Sequence, residues 1–475
     1  MSRTIRGGAK GAPGHVIQLE ETVDITSTIN VRDEIEGARF SSFHLKLGLL
    51  IGAILVVDGY DLYNAAYAAH YVTSLWHLDK TDIGVLLSSG LLGFAIGSLV
   101  HGPIADRFGR RRVMLAGLWM ASLLSLAIAL WAHSYVVFCG LRVLLGCALG
   151  VLMPLSITYL NEFAPKRIAN RFALWFFGAG WAIGSAFAGV VARNLVPTAG
   201  WEALYFVGTA AALLAAACHW WLPESLEFLA AHHRDAEVAV LLGKVRADRA
   251  QRYQGARFSE PATPVVHASP ADLLAPRYRR TSVLLWICGW LSLFASYGLS
   301  GWLPIVMLQR GETLGASFLF GSLLMMSNAV GVIGGGYVAD AVGNRAKVLA
   351  IAWALGAAVM LTFAVSNSHW LNIVCVVAAG VLIIAPQSLL NNLFAVSYES
   401  RLRATGVGTA LGIARLGAIA GPAIAGVIQQ QFQSTMPMFV CLAGSLGVCA
   451  AVVVALSRSE ARSAIQPLPQ SVRQS

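Results

Sequence analysis

The chain has 475 residues, of which 57 % are hydrophobic and only 12 % charged. With a mean hydropathy of +0.65, that balance excludes a soluble protein of several domains and points to a polytopic membrane protein. The formal charge of +10 does not mark a nucleic-acid binder, because the basic residues gather in short loops between apolar runs, where they orient membrane helices.

Residues 1–44 are polar and mixed in charge and read as a cytoplasmic N-terminal segment without a cleavable signal peptide, the first spanning helix acting as its own insertion signal. Apolar runs of roughly 20 residues follow at 45–67, 83–105, 113–131, 136–160, 172–191, 204–222, 283–308, 317–339, 348–365, 371–396, 406–428 and 438–456. Each is long enough to cross a hydrocarbon core of about 30 Å, so the expectation is an all-α membrane protein of twelve transmembrane helices. Residues 45–222 and 281–457 would form two six-helix bundles. The connecting loop 223–280 would be cytoplasmic, with a short amphipathic helix near 236–245 and a Pro-containing linker over 261–276, and 458–475 would be a cytoplasmic tail. All seven cysteines lie inside apolar runs without metal-ligand spacing and read as small buried hydrophobes, so neither metal nor cofactor is expected. No nucleotide loop, ligand cluster or nucleophile with a base suggests an enzyme.

Orientation follows from the short loops. Arg107, Arg110, Arg111 and Arg112 come after the second helix, Lys166, Arg167 and Arg171 after the fourth, Arg345 and Lys347 after the eighth, and Arg401 and Arg403 after the tenth. These loops, and both termini, are expected on the cytoplasmic side. An internal repeat relates the two bundles. Shifting Asp106 by 234 residues lands on Asp340, and the same shift carries Arg167 onto Arg401. The halves therefore read as copies in the same orientation.

The first helix is interrupted by Asp58-Gly59-Tyr60-Asp61. A carboxylate at the centre of a spanning helix costs roughly 2.5 to 3.5 kcal/mol even on lenient insertion scales, so two of them need a reason. Three residues apart, they share a helix face. Removal from water and mutual repulsion both favour the neutral acid, which describes a proton site. The alternative is that both are buried ion-pair partners holding helices together, and the two roles are compatible.

The loop Gly102-Pro103-Ile104-Ala105-Asp106-Arg107-Phe108-Gly109-Arg110-Arg111-Arg112 resembles the signature between helices two and three of the major facilitator superfamily. Arg142-Val143-Leu144-Leu145-Gly146 resembles that superfamily's helix-four motif. Asp58-Gly59-Tyr60-Asp61, Leu222-Pro223-Glu224-Ser225, and Arg403-Ala404-Thr405-Gly406 leading to Gly412-Ile413-Ala414-Arg415 are similar to the aromatic acid:proton symporter family within it. The resemblance covers about residues 40–456. It implies a multi-pass protein of the bacterial inner membrane that imports benzoate- or hydroxybenzoate-type acids with protons by alternating access, as a monomeric functional unit. Its partners would be a small aromatic carboxylate, H+ and membrane lipid, and no nucleic acid.

Within that frame, Arg142, about two turns into helix four, and Arg415, near the middle of helix eleven, keep their charge and require an anion. An aromatic carboxylate matches guanidinium bidentately. Arg415 is expected to hold the substrate carboxylate, and Arg142 to pair with Asp58 or Asp61 when that acid is ionised; the bland alternative makes both arginines permanent ion-pair members. Asn64, Tyr297, Trp302, Asn328, Gln387 and Asn391 are candidate contacts for ring or hydroxyl; interhelical hydrogen bonding explains the amides equally well, and lipid-facing or interface packing is the commoner role for the two aromatics. Asp106, Arg110, Glu162 and Arg167, with Asp340 and Arg345 in the second half, form by resemblance a cytoplasmic gate that stabilises the outward-open form. Glu162 is 20 residues, about 30 Å, from Arg142 and cannot touch a midplane substrate in the same state.

An aromatic anion entering an inside-negative cell works against about 2.3 kcal/mol per 100 mV, which one accompanying proton cancels. The competing readings are a proton symporter of a non-aromatic anion, such as muconate or a dicarboxylate, and a membrane receptor for aromatic acids that transports nothing.

Overall fold

The structure is a computed structural model that describes residues 28–169, 172, 174–259 and 269–465. Residues 1–27, Arg171, the 261–268 part of the linker and 466–475 of the tail lie outside the described residues.

The spanning helices are α1 (Ser42–Trp76), α2 (Lys80–Phe108), α3 (Arg110–Trp131), α4 (Tyr135–Glu162), α5 (Trp175–Ala199), α6 (Glu202–Trp221), α7 (Arg279–Gln309), α8 (Leu314–Val342), α9 (Arg345–Val365), α10 (His369–Val396), α11 (Ser400–Phe432) and α12 (Met436–Ile465). Among the described residues, eleven helices, α2 to α12, are long and apolar enough to cross a membrane. The other, α1, is 35 residues long and carries the acid pair in its buried middle. The fold is the all-α, two-half arrangement the apolar runs lead one to expect. Polar residues at the run ends continue the helices, so α1 reaches Trp76 and α11 starts at Ser400.

Each half closes through small residues. Gly93 and Gly97 of α2 press on the backbone of Val143 and Cys147 in α4, while Gly146 and Gly150 of α4 press on Gly90 and Phe94. A methyl group at any of these four glycines would collide with backbone, so the two helices meet at the closest approach polypeptide allows. The halves then join along α2 against α11 and α5 against α8, contacts related by the internal repeat.

The connector is more ordered than its sequence suggests. The expected amphipathic helix forms over Asp235–Val245, preceded by Leu226–Ala231 and followed by a 3-10 segment, Ala247–Tyr253. A short strand, Phe258–Ser259, pairs in parallel with Ile29–Asn30 just before helix Val31–Glu36. Glu34 of that helix is the anchor. It accepts hydrogen bonds from Arg246 (3.2 Å), Arg249 (3.1 Å) and the Tyr253 hydroxyl (2.8 Å). Lys166 reaches Glu36 at 3.3 Å, tying the same segment to the loop after α4. The N-terminal segment, the connector and the basic loops thus share one end of the molecule, called here the basic-loop face.

Candidate functional site

Between the halves lies a cavity of about 490 Å³, the size of pockets that enclose small organic ligands. Tyr63, Phe94, Trp181, Tyr297 and Arg415 line its inner end. Asn161 in the last turn of α4 and Asn391 in the last turns of α10 line it toward the basic-loop face, which sets the direction in which it opens.

The opposite end is shut by contacts between halves. The Lys80 ammonium donates to the Gln429 carbonyl (3.3 Å) and to Gln433 Oε1 (3.4 Å), and its backbone N–H donates to Gln430 Oε1 (3.2 Å). Deeper in, the Ser88 hydroxyl donates to the Ile419 carbonyl (2.7 Å), the Ser322 hydroxyl donates to the Ala186 carbonyl (2.6 Å), and Tyr67 packs edge-on against Phe318. A second pocket of only about 20 Å³ lies between this seal and the main cavity, bounded by Ser300 and Pro422. Tyr63, Leu91 and Tyr297 line both spaces, so these three side chains are the partition between them.

Asp58 and Asp61 are completely buried on α1. Neither carboxylate oxygen of Asp58 has a hydrogen-bond partner. Its electrostatic neighbours are Asp61 and, from the other half, Arg415. Asp61 accepts from Asn64 Nδ2 (3.1 Å) and from the Ser125 hydroxyl (3.5 Å). Gly208 of α6 makes room for it: a methyl group there would stand 2.5 Å from Asp61 Oδ1.

Arg142 is buried but bonds differently from expectation. Its guanidinium donates to the backbone carbonyls of Asp61 (2.8 Å) and Leu62 (3.2 Å), and among the described residues it forms no ion pair with either carboxylate. Gly90 opens the space it fills, since a Cβ at that position would lie 2.6 Å from Nη2. The cation is therefore built into the α1–α4 contact and does not line the cavity. Arg415 does line it. Its guanidinium sits 4.7 Å over the centroid of Phe94, held by cation–π attraction on one side and open to the cavity on the other.

Of the remaining candidates, Tyr297, Asn328, Gln387 and Asn391 also line the cavity. Gln387 and Asn391 are presented by a distortion of α10. Pro386 lacks a backbone N–H and obstructs the preceding turn, so Gly380–Ile384 widens into a π-turn in which the Ala385 N–H reaches the Gly380 carbonyl (3.0 Å). Gln387 Nε2 then donates to Asn391 Oδ1 (3.2 Å) and its Oε1 accepts from Ser292 (2.9 Å). Two expectations are corrected. Trp302 is fully buried against α11, donating its indole N–H to the Pro422 carbonyl (2.9 Å), and is absent from the cavity wall. Asn64 is likewise buried and serves Asp61, because on α1 it shares the acids' face and not the lumen's.

At the basic-loop face, Arg110 forms an ion pair with Glu162 and a second, at 3.4 Å, with Glu227. The Ser225 hydroxyl accepts from Arg110 (3.0 Å) and donates to Glu162 Oε2 (2.6 Å), and the Arg111 N–H donates to Glu224 Oε1 (2.9 Å). Asp106 and Arg167 stand exposed, outside this cluster. In the second half, Arg345 reaches Asp340 at 3.4 Å and Asn392 at 2.6 Å. The acidic and hydroxyl members Glu224, Ser225 and Glu227 were not among the expected gate residues, although Leu222-Pro223-Glu224-Ser225 stood out as a motif. Sequence reasoning also passed over Tyr63, Phe94, Trp181 and Ser296 in the wall. The aromatic ones carry no signal that separates a lumen-facing ring from a lipid-facing one.

Residues 49–422 match the Major Facilitator Superfamily. The chain is 34 % identical over 444 residues to a gallate transporter of Pseudomonas putida, covering 92 % of this chain and 97 % of that protein. It is 30 % identical over 406 residues to the 4-hydroxybenzoate transporter PcaK of Pseudomonas aeruginosa, covering 84 % and 88 %. Among solved structures, a partially occluded inward-open form of the xylose transporter XylE from E. coli superposes with a TM-score of 0.65 at 16 % identity, covering 90 % of this chain and 98 % of that one.

Proposed function

Because the chain belongs to the Major Facilitator Superfamily and, within it, to the aromatic acid:proton symporter family, we propose that it imports an aromatic carboxylate with protons across the bacterial inner membrane by alternating access. It is a membrane transporter and not an enzyme. The relatives named for gallate and 4-hydroxybenzoate support the aromatic acid. The observation that carries the reading is Arg415: a guanidinium facing an otherwise largely apolar cavity, with buried Asp58, neither of whose oxygens has a hydrogen-bond partner, among its electrostatic neighbours.

That arrangement gives the coupling a physical form. An ionised Asp58 and a substrate carboxylate compete for the same cation. Protonation of Asp58 removes the competitor and lets Arg415 accept the carboxylate, so proton and anion bind together and leave together. Asp61, beside the buried Arg142 and bonded to Asn64 and Ser125, is the second acid of the pathway. With the basic-loop face cytoplasmic, the structure represents the inward-open form. The Arg110–Glu162–Ser225 cluster then fastens the cytoplasmic ends of α2, α4 and α6 into one half that moves as a unit.

Uptake of labelled 4-hydroxybenzoate into vesicles with an imposed pH gradient tests the proposal. Accumulation that collapses with the gradient and is competed by benzoates is expected. Accumulation competed by muconate or a dicarboxylate and not by any benzoate refutes the aromatic substrate, and accumulation indifferent to the gradient refutes the proton.

A further inference from the structure

The internal repeat continues into the membrane and into the cavity wall. A shift of 234 residues carries Lys80–Phe108 onto Leu314–Val342, so α2 lands on α8 at both ends, and it carries α4, Tyr135–Glu162, onto His369–Val396, the bounds of α10. Lining residues land on lining residues. Tyr63 of α1 falls on Tyr297 of α7, the same residue in both halves. Elsewhere the chemistry changes. Phe94 of α2 falls on Asn328 of α8, Met153 of α4 on Gln387 of α10, and Ile157, one turn further along α4, on Asn391. Trp181 of α5 falls on Arg415 of α11.

At these four pairs of positions, then, the two walls have opposite polarity. On the first-half side Phe94, Met153 and Ile157 offer carbon and a thioether, and Trp181 offers its ring, since its Nε1 is closed off. Apart from Tyr63, the other polar side chain on that wall is Asn161, out in the last turn of α4. The second-half side has three amides and a guanidinium. The Asn328 amide has no hydrogen-bond partner among the described residues and stays open to accessible space. The bond from Gln387 Nε2 to Asn391 Oδ1 leaves Gln387 with one free N–H and Asn391 with two.

We infer that selectivity is divided between the halves: the second half, through Asn328, Gln387 and Asn391 beside Arg415, reads the polar substituents of the ligand and their positions, while the first half, through Met153 and Ile157, reads only its apolar outline. The inference rests on the aromatic-carboxylate reading above and adds to it an orientation and two specificity residues. A polar substituent pressed on the first-half wall gives up its water and gains no partner, whereas the same substituent turned to α8 and α10 finds donors and acceptors. With the carboxylate on Arg415, the ring therefore lies with a face on α2, α4 and α5 and its substituted edge toward α8 and α10. Apolar contact carries no direction, so the first-half wall measures bulk alone.

The test is equilibrium binding to the purified full-length protein of benzoate, the three positional isomers of hydroxybenzoate and of aminobenzoate, and 2-naphthoate as the bulkier ring. It is repeated in Asn328→Leu, in Gln387→Met and Asn391→Ile, which install the first-half counterparts, and in Met153→Ala and Ile157→Ala. Affinities are compared as ratios within each variant, which do not depend on how much of it is folded. The three second-half variants should each change the ratios among isomers by about fivefold or more and leave the naphthoate-to-benzoate ratio where it was. Met153→Ala and Ile157→Ala should do the reverse, raising the naphthoate-to-benzoate ratio by about fivefold or more with the isomer ratios unmoved. First-half variants that shift the isomer ratios as far as second-half ones overturn the division, and so does a parent protein that binds all isomers and benzoate alike; either result leaves the aromatic-carboxylate reading standing. Failure of every aromatic acid to bind removes both.

Discussion

Replacing Arg415 by lysine keeps the charge and removes the fork. If the guanidinium holds the substrate carboxylate by two parallel hydrogen bonds, lysine retains one, and a hydrogen bond to a charged group contributes about 1.5 to 3 kcal/mol. The guanidinium also lies 4.7 Å over the Phe94 ring, and an ammonium on a flexible stem gives up part of that contact. Such cation–π contacts are worth about 0.5 to 1 kcal/mol at partly open sites. Together the losses come to about 2 to 4 kcal/mol, or a roughly 30- to 1000-fold weaker dissociation constant. The lower end is the better expectation, because the cavity opens to solvent and water can substitute for the missing donor. Equilibrium binding of a labelled hydroxybenzoate to purified Arg415→Lys, with thermal unfolding as the control for folding, measures the effect. An affinity within about threefold of the parent, in a variant that unfolds at the same temperature, would sink the carboxylate role of Arg415.

Asp58→Asn removes the acid that competes for Arg415, so substrate binding should become insensitive to pH and gradient-driven accumulation should be lost while exchange of substrate for substrate persists; retained accumulation with normal pH dependence would contradict the coupling scheme. Lys80→Met deletes two long hydrogen bonds, at 3.3 and 3.4 Å, from the seal opposite the basic-loop face. At about 1 kcal/mol in sum, the open-to-closed ratio at that end should shift about fivefold, read as a change in spin-label distances between α2 and α11. An unchanged distance distribution would show that the lysine is ornamental to closure. Glu34→Ala leaves Arg246 and Arg249 without their shared anion. Hydrogen exchange over residues 28–36 should rise by about a hundredfold, the equivalent of about 3 kcal/mol, with the unfolding temperature of the helices unmoved; protection that survives the change would mean that the strand pair alone holds the segment.

The spanning helices were legible because the bilayer imposes a length and an apolarity on each of them, and the acid pair was legible because it violates that apolarity. The facing of individual side chains was not. In a membrane both the lipid side and the lumen side of a helix accept aromatic residues, so Trp302 and Trp181 look alike in sequence while one is bonded to Pro422 and the other faces the cavity. Arg142 shows a second limit. Its charge announces an anion, yet the groups that receive its protons are backbone carbonyls, which every sequence contains. The Glu34 anchor shows a third, since its partners stand more than two hundred residues away in a loop that composition alone makes look irregular.

The partition of Tyr63, Leu91 and Tyr297 sets a size threshold. The pocket behind it, at about 20 Å³, has room for a single water molecule, and an aromatic ring is several times too large to follow. While the mouth on the basic-loop face stands open, the narrow chamber behind the two phenols can pass nothing bulkier than a hydrogen ion riding on water, so the molecule acts at its opposite end as a sieve before any helix has moved.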